Sequence, residues 1–145
     1  LKKWAHASAA GGSDGGSFTL SVDQNTGKAR NATVKVKCGG LTAKVAVQQS
    51  GAPSLSLSKT SWLAAKKKVA TKTITVTTSD NAQWRAALDP AACGWVTLSA
   101  TSGVSGDKFM VTTQANTGGA RACPVTVTLA GTSMTETLTI RQRKA

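Results

Sequence analysis

The sequence predicts an all-β chain, an antiparallel two-sheet sandwich repeated in tandem, and three observations predict it. Apolar and polar residues alternate with a period of two. Thr, Val and Ser crowd the same stretches. One block of sequence recurs 91 residues downstream.

Alternation marks strands because successive side chains leave a strand on opposite faces. Leu55 and Leu57 alternate with serines, and Ile74 and Val76 alternate with threonines in Thr71-Lys-Thr-Ile-Thr-Val-Thr-Thr78. Trp95, Val96 and Leu98 open a further strand. Phe109 and Val111 face one way, and Met110 and Thr112 the other. Val125, Val127 and Leu129 give one inward face, and Leu138 and Ile140 that of the last strand. β-branched residues fit a pleated, half-buried surface, and the outward positions carry Thr, Ser and Lys. Turn residues separate the runs: Ser79-Asp-Asn81, Asp89-Pro90, Ser102-Gly103, Asn116-Thr-Gly118 and Ala130-Gly131. About seven short strands in roughly ninety residues suggest a two-sheet antiparallel sandwich.

The repeat fixes the organisation. Asn25-Thr-Gly-Lys-Ala-Arg30 returns as Asn116-Thr-Gly-Gly-Ala-Arg121. The same offset pairs Trp4 with Trp95, Phe18 with Phe109 and Val34 with Val125, giving 13 identities in the 35 positions from Trp4 to Cys38. The last hairpin of the second copy is two residues longer, after which Val45, Val47 and Gln49 match Leu138, Ile140 and Gln142. Residues 54–92 have no counterpart in the first copy. Two domains follow: residues 1–50 as the later half of a sandwich, and 51–145 as a complete one. The turn-prone Ser50-Gly-Ala-Pro53 joins them.

A half sandwich leaves an apolar face open. Phe18, Leu20, Val22, Val34, Val36, Cys38, Val45 and Val47 have nothing opposite them within residues 1–49. Its missing strands are expected either upstream in a longer parent chain or from another subunit. The chain has no initiator Met and no signal-peptide pattern, so it reads as a piece of something longer. No apolar run is long enough to span a bilayer.

The 18 Lys and Arg outnumber the 6 Asp and Glu, for a formal charge of +12. Such a surface draws anionic partners through long-range, salt-sensitive fields. Candidate contacts are Lys66, Lys67 and Lys68 in a turn, and Lys35 and Lys37 on the outward side of a strand. Nucleic acid, acidic glycan, anionic lipid and an acidic partner protein all suit this charge, which alone does not choose among them. Specific nucleic-acid binding is not expected, since the basic stretches are not interleaved with aromatics and no helix-turn-helix or zinc-finger pattern is present. Acidic glycan or another anionic surface is the expected partner.

Catalysis finds little to build on. His6 is the lone histidine, and Thr97 stands at its repeat position. None of Asp14, Asp23, Asp80, Asp89, Asp107 and Glu136 recurs in the repeat, and most fall in turns. Three scattered cysteines and one histidine lack the close spacing of a zinc site, so no metal or cofactor is expected. Cys38 aligns with Leu129 and is expected to be a buried thiol. Cys93 and Cys123 are both present in the complete copy and both replaced in the other, by Lys2 and Ala32. A disulfide explains that joint presence, and so do two independent thiols. A bridge would place the chain in an oxidising compartment. The four tryptophans suit core or rim packing, and their ring faces also suit sugar stacking. Arg30 and Arg121 recur in a tight loop, where a guanidinium can bind neighbouring carbonyls. Asn25 and Asn116 belong to the same turn.

These residues together resemble the BACON domain family across nearly the whole second copy. The resemblance rests on Leu55-Ser-Leu-Ser58, Thr73-Ile-Thr-Val-Thr77, Asn81-Ala-Gln-Trp84, Gly94-Trp-Val-Thr97, Asn116-Thr-Gly-Gly-Ala-Arg121, Val125-Thr-Val127 and Thr139-Ile-Arg-Gln142. It implies immunoglobulin-like modules in surface or secreted proteins of gut Bacteroidetes and their phages, often beside glycoside hydrolases or mucin-directed domains. The family's link to carbohydrate comes from those neighbouring domains. Lys66-Lys-Lys68 stands where the family has a Gly-rich turn. The expected function is a non-catalytic binding or spacer module of an extracytoplasmic multidomain protein. The alternative is a structural repeat of a phage virion.

Overall fold

The computed structural model describes all 145 residues. The chain divides into two compact units, Leu1–Ala52 and Pro53–Ala145.

The first unit has four strands: β1 (Ala5–Ala7), β2 (Leu20–Val22), β3 (Arg30–Cys38) and β4 (Leu41–Gln49). β1 pairs antiparallel with β2, and β3 with β4. Gly39 and Gly40 turn the second hairpin with φ of 51° and 84°. Such left-handed pairs match the twist of the flanking strands, and glycine adopts them without strain.

The second unit has nine strands: β5 (Leu55–Leu57), β6 (Ser61–Leu63), β7 (Ala70–Thr78), β8 (Trp84–Ala87), β9 (Val96–Leu98), β10 (Ser102–Gly103), β11 (Lys108–Thr113), β12 (Arg121–Leu129) and β13 (Thr135–Gln142). They form a five-stranded sheet ordered β10-β8-β12-β13-β6 and a four-stranded sheet ordered β5-β7-β11-β9. Each strand presents its apolar alternates to the space between the sheets. Ile74, Val76, Phe109 and Val111 meet Trp84, Val125, Val127, Leu138 and Ile140 there, all 1 % exposed or less. The indole of Trp84 lies against Phe109, with ring centroids 5.6 Å apart, and its N–H donates to the Val104 carbonyl at 2.9 Å. A buried indole needs such an acceptor.

This is the all-β sandwich read from the sequence, with two short strands more than expected. β6 arises because the first strand switches sheets. β5 pairs with β7, the chain bends through Ser58–Thr60, and β6 then runs parallel to β13. All other pairs are antiparallel. β10 occupies Ser102-Gly103, expected as a turn, and pairs with Arg85 and Trp84. A Cβ at Gly103 would come within 2.7 Å of the Trp84 ring, so glycine lets the strand close over the indole.

The repeat is visible strand by strand. β1 and β3 sit at the repeat positions of β9 and β12, β2 at the end of β11, and β4 at β13. The first unit has no equivalent of β5 to β8, and its burial shows the consequence. Phe18 is 38 % exposed where Phe109 is 1 %, and Val36 is 40 % exposed where Val127 is 0 %. Val45 is 41 % exposed where Leu138 is 0 %. Val34 is buried at 7 %. Cys38, expected to be buried, is exposed. Its counterpart Leu129 lies in the core between the two sheets with Trp84 of β8 beside it, and the first unit has no equivalent of β8 or of β5 and β7 in the facing sheet.

Candidate functional site

Each unit carries the same polar cluster, built where the start of β1 or β9, the turn before the long hairpin and the last strand converge. In the first unit the Arg30 guanidinium lies over the Trp4 ring at 4.4 Å. Its Nε donates to Gln49 Oε1 at 2.9 Å, and Nη2 donates to the carbonyls of Asp23 (2.8 Å) and Gln24 (3.3 Å). In the second unit Arg121 lies over Trp95 at 4.3 Å and donates to Gln142 Oε1 at 2.8 Å. Its Nη2 reaches the carbonyls of Gln114 (3.0 Å) and Ala115 (3.1 Å). The glutamine amides close both clusters, Gln49 donating to Asp23 O and Gln142 to Gln114 O.

The asparagines act beside them in the same way. Asn25 Nδ2 donates to the carbonyls of Lys28 and Ser50, both at 2.8 Å, and Oδ1 accepts from the Gly27 amide. Asn116 Nδ2 donates to Gly119 O at 2.7 Å and Arg143 O at 2.8 Å, and Oδ1 accepts from the Gly118 amide. These side chains satisfy carbonyls that no strand partner reaches. Arginine suits the task, since one planar fork serves several acceptors and stacks on an indole.

Stacking also decides what the tryptophans can offer a ligand. Trp95 is 9 % exposed beneath Arg121, and Trp84 is wholly buried. Trp4 is partly buried with Arg30 on its ring. Trp62 differs: it packs partly against the core from the edge strand β6 and lines a groove of about 580 Å³.

Cys93 and Cys123 form a disulfide with Cα atoms 5.4 Å apart. Cys123 belongs to β12 of the five-stranded sheet, and Cys93 precedes β9 of the other, so the bond ties the two sheets together.

The candidate cations belong to different units. Lys35 and Lys37 are exposed on β3 of the first. Across the hairpin Lys35 faces Lys44 directly. Like charges in that position repel, so the hairpin holds a cationic face that includes Lys44, a residue the sequence reading did not single out. Only the strand register exposes it. Lys66, Lys67 and Lys68 lie between β6 and β7 of the second unit. Lys66 Nζ donates to the Lys144 carbonyl at 3.1 Å, which brings this loop to the end of β13. His6 Nε2 and Asp23 Oδ1 lie 3.0 Å apart, at hydrogen-bond distance, with both side chains more than half exposed. None of the 18 Lys and Arg side chains is neutralised by a carboxylate.

The family model described as "BACON: Putative binding domain, N-terminal" matches residues 2–50 and 88–143, more than two thirds of the chain. The chain belongs to the BACON family. Its two matched segments cover β1 to β4 of the first BACON repeat and β9 to β13 of the second, and residues 51–87 lie outside both. Among solved structures, the chain is similar to a Bacteroides ovatus GH5 xyloglucanase in complex with a XXXG heptasaccharide, with 21 % identity over 63 % of this chain and a TM-score of 0.54. The match takes in 19 % of the xyloglucanase, so the chain spans about a fifth of that enzyme's length. An endo-fucoidan hydrolase of glycoside hydrolase family 107 matches over 97 % of this chain and 22 % of its own, at 11 % identity and a TM-score of 0.45. No curated protein sequence matches the chain. No helix in these BACON repeats is long and apolar enough to cross a membrane.

Proposed function

We propose that this chain is a non-catalytic binding and spacer module of an extracytoplasmic multidomain protein, and that it associates with anionic glycan. The observation that carries the reading is the uncompensated charge: +12 over 145 residues, with no Lys or Arg in an ion pair. Unpaired surface cations leave a field that an anionic polymer can neutralise. The Cys93–Cys123 disulfide supports an oxidising compartment. The likeness to part of a xyloglucanase supports a place beside glycan-active domains. His6 and Asp23 form a pair, but both stand in solvent and neither recurs in the second repeat.

Affinity electrophoresis of the full chain through gels carrying polygalacturonate, chondroitin sulfate, xyloglucan or mannan tests the reading. Retardation by the two anionic polymers, with migration unchanged in the neutral ones and no new reducing ends released, is expected. Retardation by the neutral polymers alone would overturn it.

A further inference from the structure

The first unit keeps a place for an indole that it does not contain. In the second unit three groups frame Trp84. Gly103 lies so near that a Cβ there would come within 2.7 Å of the ring. The Val104 carbonyl accepts the indole N–H at 2.9 Å, and the Phe109 ring lies against it. The offset of 91 puts Gly12, Ser13 and Phe18 at those three positions. The turn that carries them is the same in both units. The Gly16 amide donates to the Ser13 carbonyl at 3.0 Å, as the Asp107 amide does to the Val104 carbonyl at 3.1 Å. Gly15 and Gly106 both take a left-handed φ, 73° and 88°. Yet a Cβ at Gly12 would meet nothing within 4 Å, and Phe18 is 38 % exposed. The only tryptophan of the unit, Trp4, is held under Arg30.

The hairpin beside this place is open in the matching way. Its register sets Val34, Val36 and Cys38 opposite Val45, Ala43 and Leu41 on one uncharged face, and β3 has no neighbour on its other edge. In the second unit the corresponding edge of β12 takes β8 antiparallel, with Trp84 opposite Leu129 and Ala86 opposite Val127. Cys38 and Val36 stand at the positions of Leu129 and Val127. The free edge, the apolar face and the empty frame all fit one occupant: a segment that adds a strand to β3 and brings an indole opposite Cys38.

Chain order and number give its source. In the second unit the covering strands β5 to β8 run directly ahead of the strands they cover. A second copy of this chain holds one such set and closes its own second unit with it. In any assembly of copies alone, open faces would therefore outnumber covers. We propose that the first unit is completed within its own polypeptide, by a segment built like residues 53–91 that runs into Leu1 and seats a tryptophan between Gly12 and Phe18. The outward neighbour of that tryptophan meets Lys37, where Arg85 meets Thr128 in the second unit. Like charges so placed repel, so this neighbour is neutral or acidic.

Extending the full chain by an added copy of residues 53–91, joined to Leu1 and carrying Arg85→Glu, tests it. Cys38 is the free thiol of the chain, and its reaction with dithiobisnitrobenzoate reads the closure. In the unextended chain it reacts as an exposed thiol at every protein concentration. In the extended chain the reaction slows by about a hundredfold or more, and amide exchange in β3 slows with it. Gly12→Ala tests the frame, because its methyl group meets open space in the unextended chain and an indole in the extended one. It leaves the first rate unchanged and speeds the second by about tenfold or more. A Cys38 as reactive in the extended chain as in the unextended one would overturn the proposal. Protection indifferent to Gly12→Ala would overturn the seat for the indole. Protection in the unextended chain that grows with protein concentration would overturn the source and assign the face to a second copy.

Discussion

Arg121 and its counterpart Arg30 each hold a strand end, a turn and an indole together with one side chain. Removing Arg121 would leave the Ala115 carbonyl and the Oε1 of Gln142, a side chain 2 % exposed, without their donor, and the Gln114 carbonyl with the Gln142 amide alone. Arg121→Ala is expected to cost about 2–3 kcal/mol in urea unfolding followed by tryptophan fluorescence. Arg121→Lys should recover little, because an ammonium cannot fork across those acceptors. Arg141→Ala, on the exposed face, should stay within about 0.5 kcal/mol. The disulfide belongs to the same scale. It closes a separation of 30 residues, so Cys93→Ala with Cys123→Ala is expected to lower stability by about 3–4 kcal/mol, and reduction of the native chain should lower it comparably. The recurring Asn-Thr-Gly-x-Ala-Arg block marked Arg30 and Arg121 in the sequence. It did not name Trp4, Trp95, Gln49 and Gln142 as their partners, because those meet the arginines only when distant strands converge.

At the scale of elements, alternation located the long strands, since apolar residues two apart must share a face. It missed β6, where Trp62 and Leu63 stand side by side without alternation, and β10, which is two residues long. Cys38 was misread for a related reason. Its inward position in the repeat was legible, but burial depends on a facing sheet and a flanking strand, and β5, β7 and β8 have no counterpart in the first unit. The pairing of Leu63 with Arg141 was hidden too, because the two meet only through the sheet switch that sets β6 beside β13. The two units should accordingly behave differently when separated. Residues 53–145, with both sheets and a closed core, should fold cooperatively, with a β-type circular-dichroism spectrum and slow amide exchange. Residues 1–52 expose Phe18, Val22, Val36 and Val45 together with unpaired strand edges. That fragment should aggregate or exchange its amides freely. A monomeric, protected 1–52 would show that two isolated hairpins suffice and that no further strands are needed.

For the whole molecule, charge is the property that unites both BACON repeats. The first unit presents Lys35, Lys37 and Lys44 on one hairpin, and the second presents Lys66–Lys68 with Arg141 and Arg143. Lys and Arg exceed Asp and Glu by 12, and no Lys or Arg lies in a salt bridge. Attraction between such a surface and an anionic polymer is screened by salt over a Debye length that shrinks from about 30 Å at 0.01 M to about 8 Å at 0.15 M. Stacking on a neutral sugar has no such dependence. The central claim, that this chain binds through uncompensated charge, is therefore tested most directly by one titration: affinity of the full chain for polygalacturonate or chondroitin sulfate, measured by biolayer interferometry as salt is raised. The account predicts a steep, continuous loss, about tenfold or more between roughly 0.02 and 0.2 M salt. Affinity unchanged over that range, or tighter binding to uncharged xyloglucan than to either anionic polymer, would contradict it.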